Sequence, residues 1–310
     1  MKTHRISLSK RGFTLMELMV AMAVTTIIVT VLVSITSIAV DTWNRSRSEL
    51  RAARQAKSMV DTMARDFEAM ITRRGNANEW LSATSPDTPP GDKLPSTNSA
   101  ELIFFSGATD RYNGEIGSTN DKGGDVSCVA YRLDYKDPID PNGAAFKTFV
   151  LNRMLVNPDD TFKDLLGKDD LDAAFKDYAN KLNDVENFVC ENVYQFTVTF
   201  YVEVTVVEPA PANTVKVLTV PITIGQGNST LVTKELKIKG TGIEATVSAS
   251  GVTADQLKAG RIAAVELSLT VLSDAGIDQL RVRPFSGDQA AEFLAKNSYQ
   301  YTKRIQLPGM

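Results

Sequence analysis

Histidine is nearly missing from this sequence: the one copy, His4, lies within the first twelve residues. A Ser-His-Asp or Cys-His nucleophile therefore has no base anywhere in the body of the chain. Cysteine is almost as scarce. Cys128 and Cys190 are the only other soft ligands, too few to close a tetrahedral zinc site. No proline appears before Pro86, so nothing forbids one long early helix. Positive charge is also short once the N-terminus is set aside. Lys2, Arg5, Lys10 and Arg11 have no acid among them, and without them 30 basic residues face 37 acidic ones, a net −7. Nucleic acid is bound by neutralising phosphates, so it is a poor partner for such a surface. These absences point away from an enzyme, and no cofactor is expected.

Phe13 to Val40 is a run of 28 residues with one ionisable side chain, Glu17, and about 20 such residues cross a hydrocarbon core. The hydroxyls of Thr25, Thr26, Thr30, Ser34 and Thr36 can fold back onto a helical backbone. Basic residues before the run and Asp41 after it orient it with its N-terminus in the cytoplasm. A cleaved secretory signal fits badly, because the apolar run is too long and ends without a small-x-small site. An ordinary signal anchor explains the length but not Glu17, since a carboxylate in the bilayer costs roughly 2.5–3.5 kcal/mol and usually has a partner.

"KRGFTLMELMVAMAV", Lys10 to Val24, resembles the class III signal of type IV prepilins and type II secretion pseudopilins. The resemblance implies cutting by a prepilin peptidase after Gly12, N-methylation of the new terminus Phe13, and an assembly role for Glu17. Cleavage would place an α-ammonium about one helical turn from Glu17, near a helix N-terminus that favours a carboxylate. In a stack of subunits Glu17 could meet the ammonium of a neighbour instead. Desolvation opposes that pair, so it would set register more than stability.

Beyond Val40 the pattern turns amphipathic. Leu50, Ala53, Ala56, Val60, Met63, Phe67 and Met70 recur at three- or four-residue spacing, with Arg, Asp, Gln and Lys on the other faces. One helix from about Phe13 to about Arg74 is predicted, with its second half packed one-sidedly on a domain rather than in a coiled-coil seam. "SATSPDTPPGDKLPSTNSA" reads as a loop. Strands are predicted in "ELIFFSG", "DVSCVAYRLDY", "KTFVLNRMLV", "VYQFTVTFYVEVTVV", "VKVLTVPITI" and "RIAAVELSLTVLS". Phe162 to Leu182 reads as a short helix or helical loop, and Ser286 as the N-cap of another.

The expected fold is α+β and pilin-like: a long N-terminal helix, half transmembrane, carrying a mostly antiparallel β head. The expected divisions are a cleaved leader (1–12), a transmembrane half-helix (13–40), an amphipathic half-helix (41–75) and a periplasmic head (76–310). Val126–Tyr131, Leu151–Arg153, "ENVYQFTVTFY" and "AAVELSLTVLSD" resemble the minor pseudopilin J type. "YTKRIQLPG" is similar to its closing segment and to that of the prepilin-type Verru_Chthon cassette proteins, and Val206 to Val252 looks like an insertion.

Two further groups are candidates. Cys128 and Cys190 would lie in an oxidising compartment, where they could bridge, or be two buried small residues facing different ways. Asp134, Asp137, Asp140, Asp159, Asp160, Asp164, Asp169, Asp170 and Asp172 could in principle serve calcium, which some pseudopilins bind. No EF-hand spacing is present, and "DPIDPNG" is equally turn chemistry. "IGQGNST" and "KGTGIEA" lack the Gly-Lys-Ser/Thr ending of a phosphate loop and read as hairpin turns.

The resemblance thus implies a minor structural subunit of a type II secretion pseudopilus or type IV pilus, placed near the tip. Its partners would be other pilins or pseudopilins, the prepilin peptidase, the assembly platform and the bacterial cytoplasmic membrane. The alternatives are a tip adhesin of a surface pilus and a membrane-anchored binding module that never polymerises.

Overall fold

A single helix, α1 (Leu15–Glu68), opens the fold. The structure is a computed structural model that describes residues 13–107, 124–140, 143, 146–207, 214–225, 235–245 and 252–307. The chain divides into two units, residues 1–50 and 51–310. The division falls inside the stretch expected to be the amphipathic half of the helix.

In the first unit every large apolar side chain from Phe13 to Val40 is exposed. A helix that is apolar all round is stable only among lipids or other helices. Among the described residues, α1 is the one helix long and apolar enough to cross a membrane. The five expected hydroxyls do return to the backbone: Thr25, Thr26, Thr30, Ser34 and Thr36 donate to the carbonyls four residues earlier at 2.7–3.0 Å.

The second unit contains two antiparallel sheets. Sheet one runs in the order β5 (Phe188–Glu191), β4 (Thr148–Val156), β3 (Ser127–Lys136), β2 (Glu101–Ser106), β1 (Glu79–Thr84), β8 (Glu235–Lys239), β9 (Gly242–Ala245). Sheet two runs β11 (Ser298–Gln306), β10 (Arg261–Leu272), β6 (Val193–Val207), β7 (Val215–Ile224). The chain passes from β5 to β6 at Asn192, whose φ of 64° suits the short polar side chains that tolerate the left-handed region. The six expected strands are β2, β3, β4, β6, β7 and β10. The segment that looked like an insertion supplies β7 to sheet two and β8 and β9 to sheet one.

Period-two alternation sorts sheet one's side chains onto two faces. Leu102, Phe104, Val129, Tyr131, Phe149 and Leu151 join the main core, while Ile103, Phe105, Cys128, Ala130, Met154 and Val156 face a second cluster. That second face is covered by α3 (Leu171–Ala179), capped by Asp170, whose carboxylate accepts from Ala173 N–H at 3.0 Å. The expected helical stretch, Phe162 to Leu182, is therefore broken: a π turn (Thr161–Leu165) and α3 share it, and a short α2 (Pro158–Asp160) precedes it.

The helical stripe within residues 51–68 packs into the main core through Ala52, Ala56, Met59, Val60, Met63, Ala64 and Phe67. Phe67 stacks on Phe104 of sheet one with centroids 4.7 Å apart and meets Phe200 of sheet two edge-on at 6.4 Å. One ring therefore touches both sheets.

Two expectations about this helix need correction. Leu50 is 56% exposed and the buried stripe starts at Ala52. The helix stops at Glu68, not near Arg74, because the next backbone groups pair with the end of β2. Ile71 N–H donates to Phe105 at 2.8 Å and Gly107 N–H to Ala69 at 2.9 Å. Among the described residues three more helices follow β9. They are α4 (Ala254–Lys258), α5 (Asp274–Val282) and α6 (Gly287–Asn297). Ser286 does sit at the N-cap of α6, but its hydroxyl makes no capping bond.

Candidate functional site

The residues singled out by the sequence lie at the start of α1. Gly12 and the basic leader fall outside the described residues. Phe13 is 84% exposed and Thr14 is the last residue before the helix. Thr14, Leu15, Met16 and Glu17 form a capping box. Glu17 N–H donates to Thr14 Oγ1 at 3.2 Å, and Thr14 N–H donates back to Glu17 Oε2 at 2.9 Å. The Thr14 hydroxyl also donates to Oε2, at 2.9 Å.

Two orphan donors of the helix end are thus satisfied within one turn. The Thr-x-x-Glu spacing is a readable signal that the sequence reading missed. Among the described residues only Oε2 of Glu17 is engaged, which leaves Oε1 to accept a further donor.

In the second unit a polar cluster fixes the helical stripe. Arg153 of β4 is 1% exposed and Asp66 of the helix 3%. Arg153 Nε donates to Asp66 Oδ2 at 2.7 Å and Nη2 to Oδ1 at 2.8 Å, a bidentate fork. Tyr131 of β3 also donates to Asp66 Oδ2 and accepts from Arg153 Nε at 3.1 Å. Burial, with the Asp66 charge beside it, holds the Tyr131 phenol well above its usual range, so it remains a donor. At the surface, Lys303 of β11 donates to Asp61 at 2.6 Å and holds that carboxyl below its usual value.

Cys128 and Cys190 are both free and buried. The candidate disulfide is corrected on geometry. Cys128 lies opposite Val156 and Cys190 opposite Leu151 on the intervening strand β4, roughly 17 Å apart along it at 3.4 Å per residue. Their side chains also enter different clusters. A disulfide needs Cα atoms within about 7 Å.

Several of these aspartates have local partners. Asp137 accepts from Ile139 and Asp140 N–H at 3.0 and 3.2 Å, which holds its pKa down and makes "DPID" a side-chain turn. Asp134 accepts from Asn152 at 3.0 Å, and Asp164 from Tyr178 at 2.7 Å. Among the described residues no three His, Cys, Asp or Glu side chains gather as a metal site would require.

Comparison with known proteins bears on the first unit. Residues 8–33 match the family model described as the prokaryotic N-terminal methylation motif. That span contains Gly12, Phe13, Thr14 and Glu17. No curated protein and no solved structure matches the chain. The motif supports a type IV pilin or pseudopilin subunit. It points to a structural subunit rather than an enzyme, processed by a prepilin peptidase and assembling with other pilins. The long helix followed by an antiparallel β head is consistent with a pilin-like fold, and the apolar helix fits membrane anchoring of the N-terminus.

Proposed function

We propose that this chain is a minor subunit of a type II secretion pseudopilus or type IV pilus, incorporated near the tip after cleavage at Gly12 and methylation of Phe13. The observation that carries this reading is Glu17. It lies inside the matched motif on an all-round apolar helix, and one of its carboxylate oxygens is left for a donor from outside the described residues. Cleavage would supply such a donor, an α-ammonium, on a neighbouring subunit. In that setting the pair selects register, since the Coulomb gain in low dielectric is offset by desolvation.

The size of the second unit supports a minor rather than a major role. Bulk of that kind between neighbouring helices limits how many copies could stack. The head would be periplasmic and the helix anchored in the bacterial cytoplasmic membrane before assembly. The test is crosslinking in cells that make the whole apparatus. The processed chain should crosslink through its N-terminal helix to other pilins or pseudopilins. A processed chain that never crosslinks to them would instead be a membrane-anchored module that does not polymerise.

A further inference from the structure

A concave basic cleft opens on the second unit where four segments meet. They are the chain just after α1, the β8–β9 turn, the end of α4 and the start of β10. Its cavity is about 180 Å³, room for about six waters at liquid density. Arg73, Arg74, Lys239, Lys258 and Arg261 line it, and among the described residues no acidic one does.

Two of these cations are already matched: Lys239 by Glu244 at 3.0 Å and Arg261 by Glu203 at 2.7 Å. Arg73, Arg74 and Lys258 are exposed and have no ion-pair partner among the described residues. A scattered basic face would be screened by salt. Inside a cleft with low-dielectric walls the same charges focus their field.

The backbone holding these side chains is fixed. Gly75 N–H donates to Gly240 at 2.9 Å, and Gly240 N–H donates to Asn78 at 3.0 Å, which ties the Arg73–Arg74 segment to the hairpin turn. Gly242 has φ 133°, and a Cβ there would lie 2.1 Å from the Lys258 carbonyl oxygen. Only glycine lets the turn and the end of α4 approach so closely. Part of the ordering cost of binding is therefore met by the fold. The floor carries Ile243 and Ile262, both buried. An apolar floor under a rim of guanidinium and ammonium groups suits carboxylates carried on methylene stems better than a bare inorganic anion.

We infer that this cleft binds an acidic peptide segment of a neighbouring protein subunit, with its carboxylates on Arg73, Arg74 and Lys258. The source of the peptide rests on the subunit reading above; the chemistry of the cleft does not. The test uses the full chain in detergent and labelled hexaglutamate, followed by fluorescence anisotropy, with hexaglutamine and inorganic pyrophosphate as competitors. Saturable binding of hexaglutamate is expected, with weaker competition from pyrophosphate and none from hexaglutamine.

Arg73→Gln/Arg74→Gln should weaken binding by about tenfold and Lys258→Gln by about threefold. Lys296→Gln, on the exposed side of α6, should leave it unchanged. If the double variant loses its cooperative thermal transition, Lys258→Gln alone decides. Equal binding by the cleft variants and the parent overturns the proposal. Tighter binding of pyrophosphate than of hexaglutamate overturns the acidic peptide as occupant. Binding by the isolated chain needs no cleavage at Gly12, so its failure leaves the subunit reading standing. Failure of cleavage in cells would contradict that reading without touching the cleft.

Discussion

Arg153 grips Asp66 through two parallel hydrogen bonds of 2.7 and 2.8 Å, and both side chains are almost wholly buried. Their backbones belong to β4 and α1, 87 residues apart in sequence. The pair therefore pins the helical stripe of the second unit to β4, the strand next to one edge of sheet one. Removing one partner strands a buried charge, which costs about 3–5 kcal/mol. Asp66→Ala should lose that much in urea unfolding followed by the fluorescence of Trp80, which is buried in the second cluster. The double variant Asp66→Leu/Arg153→Met should lose clearly less than the sum of the single losses. Tyr131→Phe should cost only about 1–3 kcal/mol, since it removes one donor and leaves the ion pair. Strict additivity in the double variant would mean the two residues do not act as a unit.

The same helix shows what could be read in advance and what could not. Ala56, Val60, Met63 and Phe67 stood out because a 3.6-residue period in apolar residues survives in any context that buries one face. Asp66 did not, because a lone acid reads as solvent-facing until its partner on a distant strand is known. β1 stayed hidden for a related reason. It buries Glu79 and Ser82, polar residues that mask a strand in composition. β11 has a buried Ile305 between exposed polar neighbours and lies at the edge of sheet two, so its alternation carries little hydrophobic signal. The start of α1 was legible as a motif, but its local chemistry, the Thr14–Glu17 box, depended on reading the spacing as a cap.

Glu79 leads to a pH dependence. Its side chain is buried, and burial raises its pKa above the ordinary 4.5, with the Leu171 N–H and Lys237 opposing only in part. A carboxyl raised in the folded chain makes the folded state bind more protons than the unfolded one above pH 4.5. Its contribution is fully present below that value and is lost as pH rises through the raised pKa. Glu79→Gln should raise the thermal midpoint at neutral pH and flatten its fall with rising pH. An unchanged pH slope would show that Glu79 is not the group responsible.

The cysteines should behave as two inert thiols. Burial, with the Glu191 charge nearby, pushes Cys190 up to about 12, and burial pushes Cys128 up as well. A buried thiol far from its thiolate form reacts slowly. Native protein should take up no maleimide, and protein unfolded in urea without reductant should take up two. No uptake after unfolding would mean that a bridge had formed.

Glu17 separates insertion from assembly. Glu17→Val removes a charge from an apolar helix, so membrane levels should stay equal or rise. Cleavage after Gly12 should survive, while crosslinking to other pilins or pseudopilins should fall severalfold. Thr14→Ala removes the cap at a cost of about 1 kcal/mol but keeps the carboxylate, so its crosslinking should stay close to the parent's. Equal loss in both variants would assign Glu17 to capping alone.

The most direct measurement is the intact mass of the chain extracted from membranes of cells with an active prepilin peptidase. The account predicts a polypeptide that begins at Phe13, lacks Met1 to Gly12, and carries one methyl group on its terminal nitrogen. A full-length chain from the same cells, still beginning at Met1, would contradict the assignment to the pilin class.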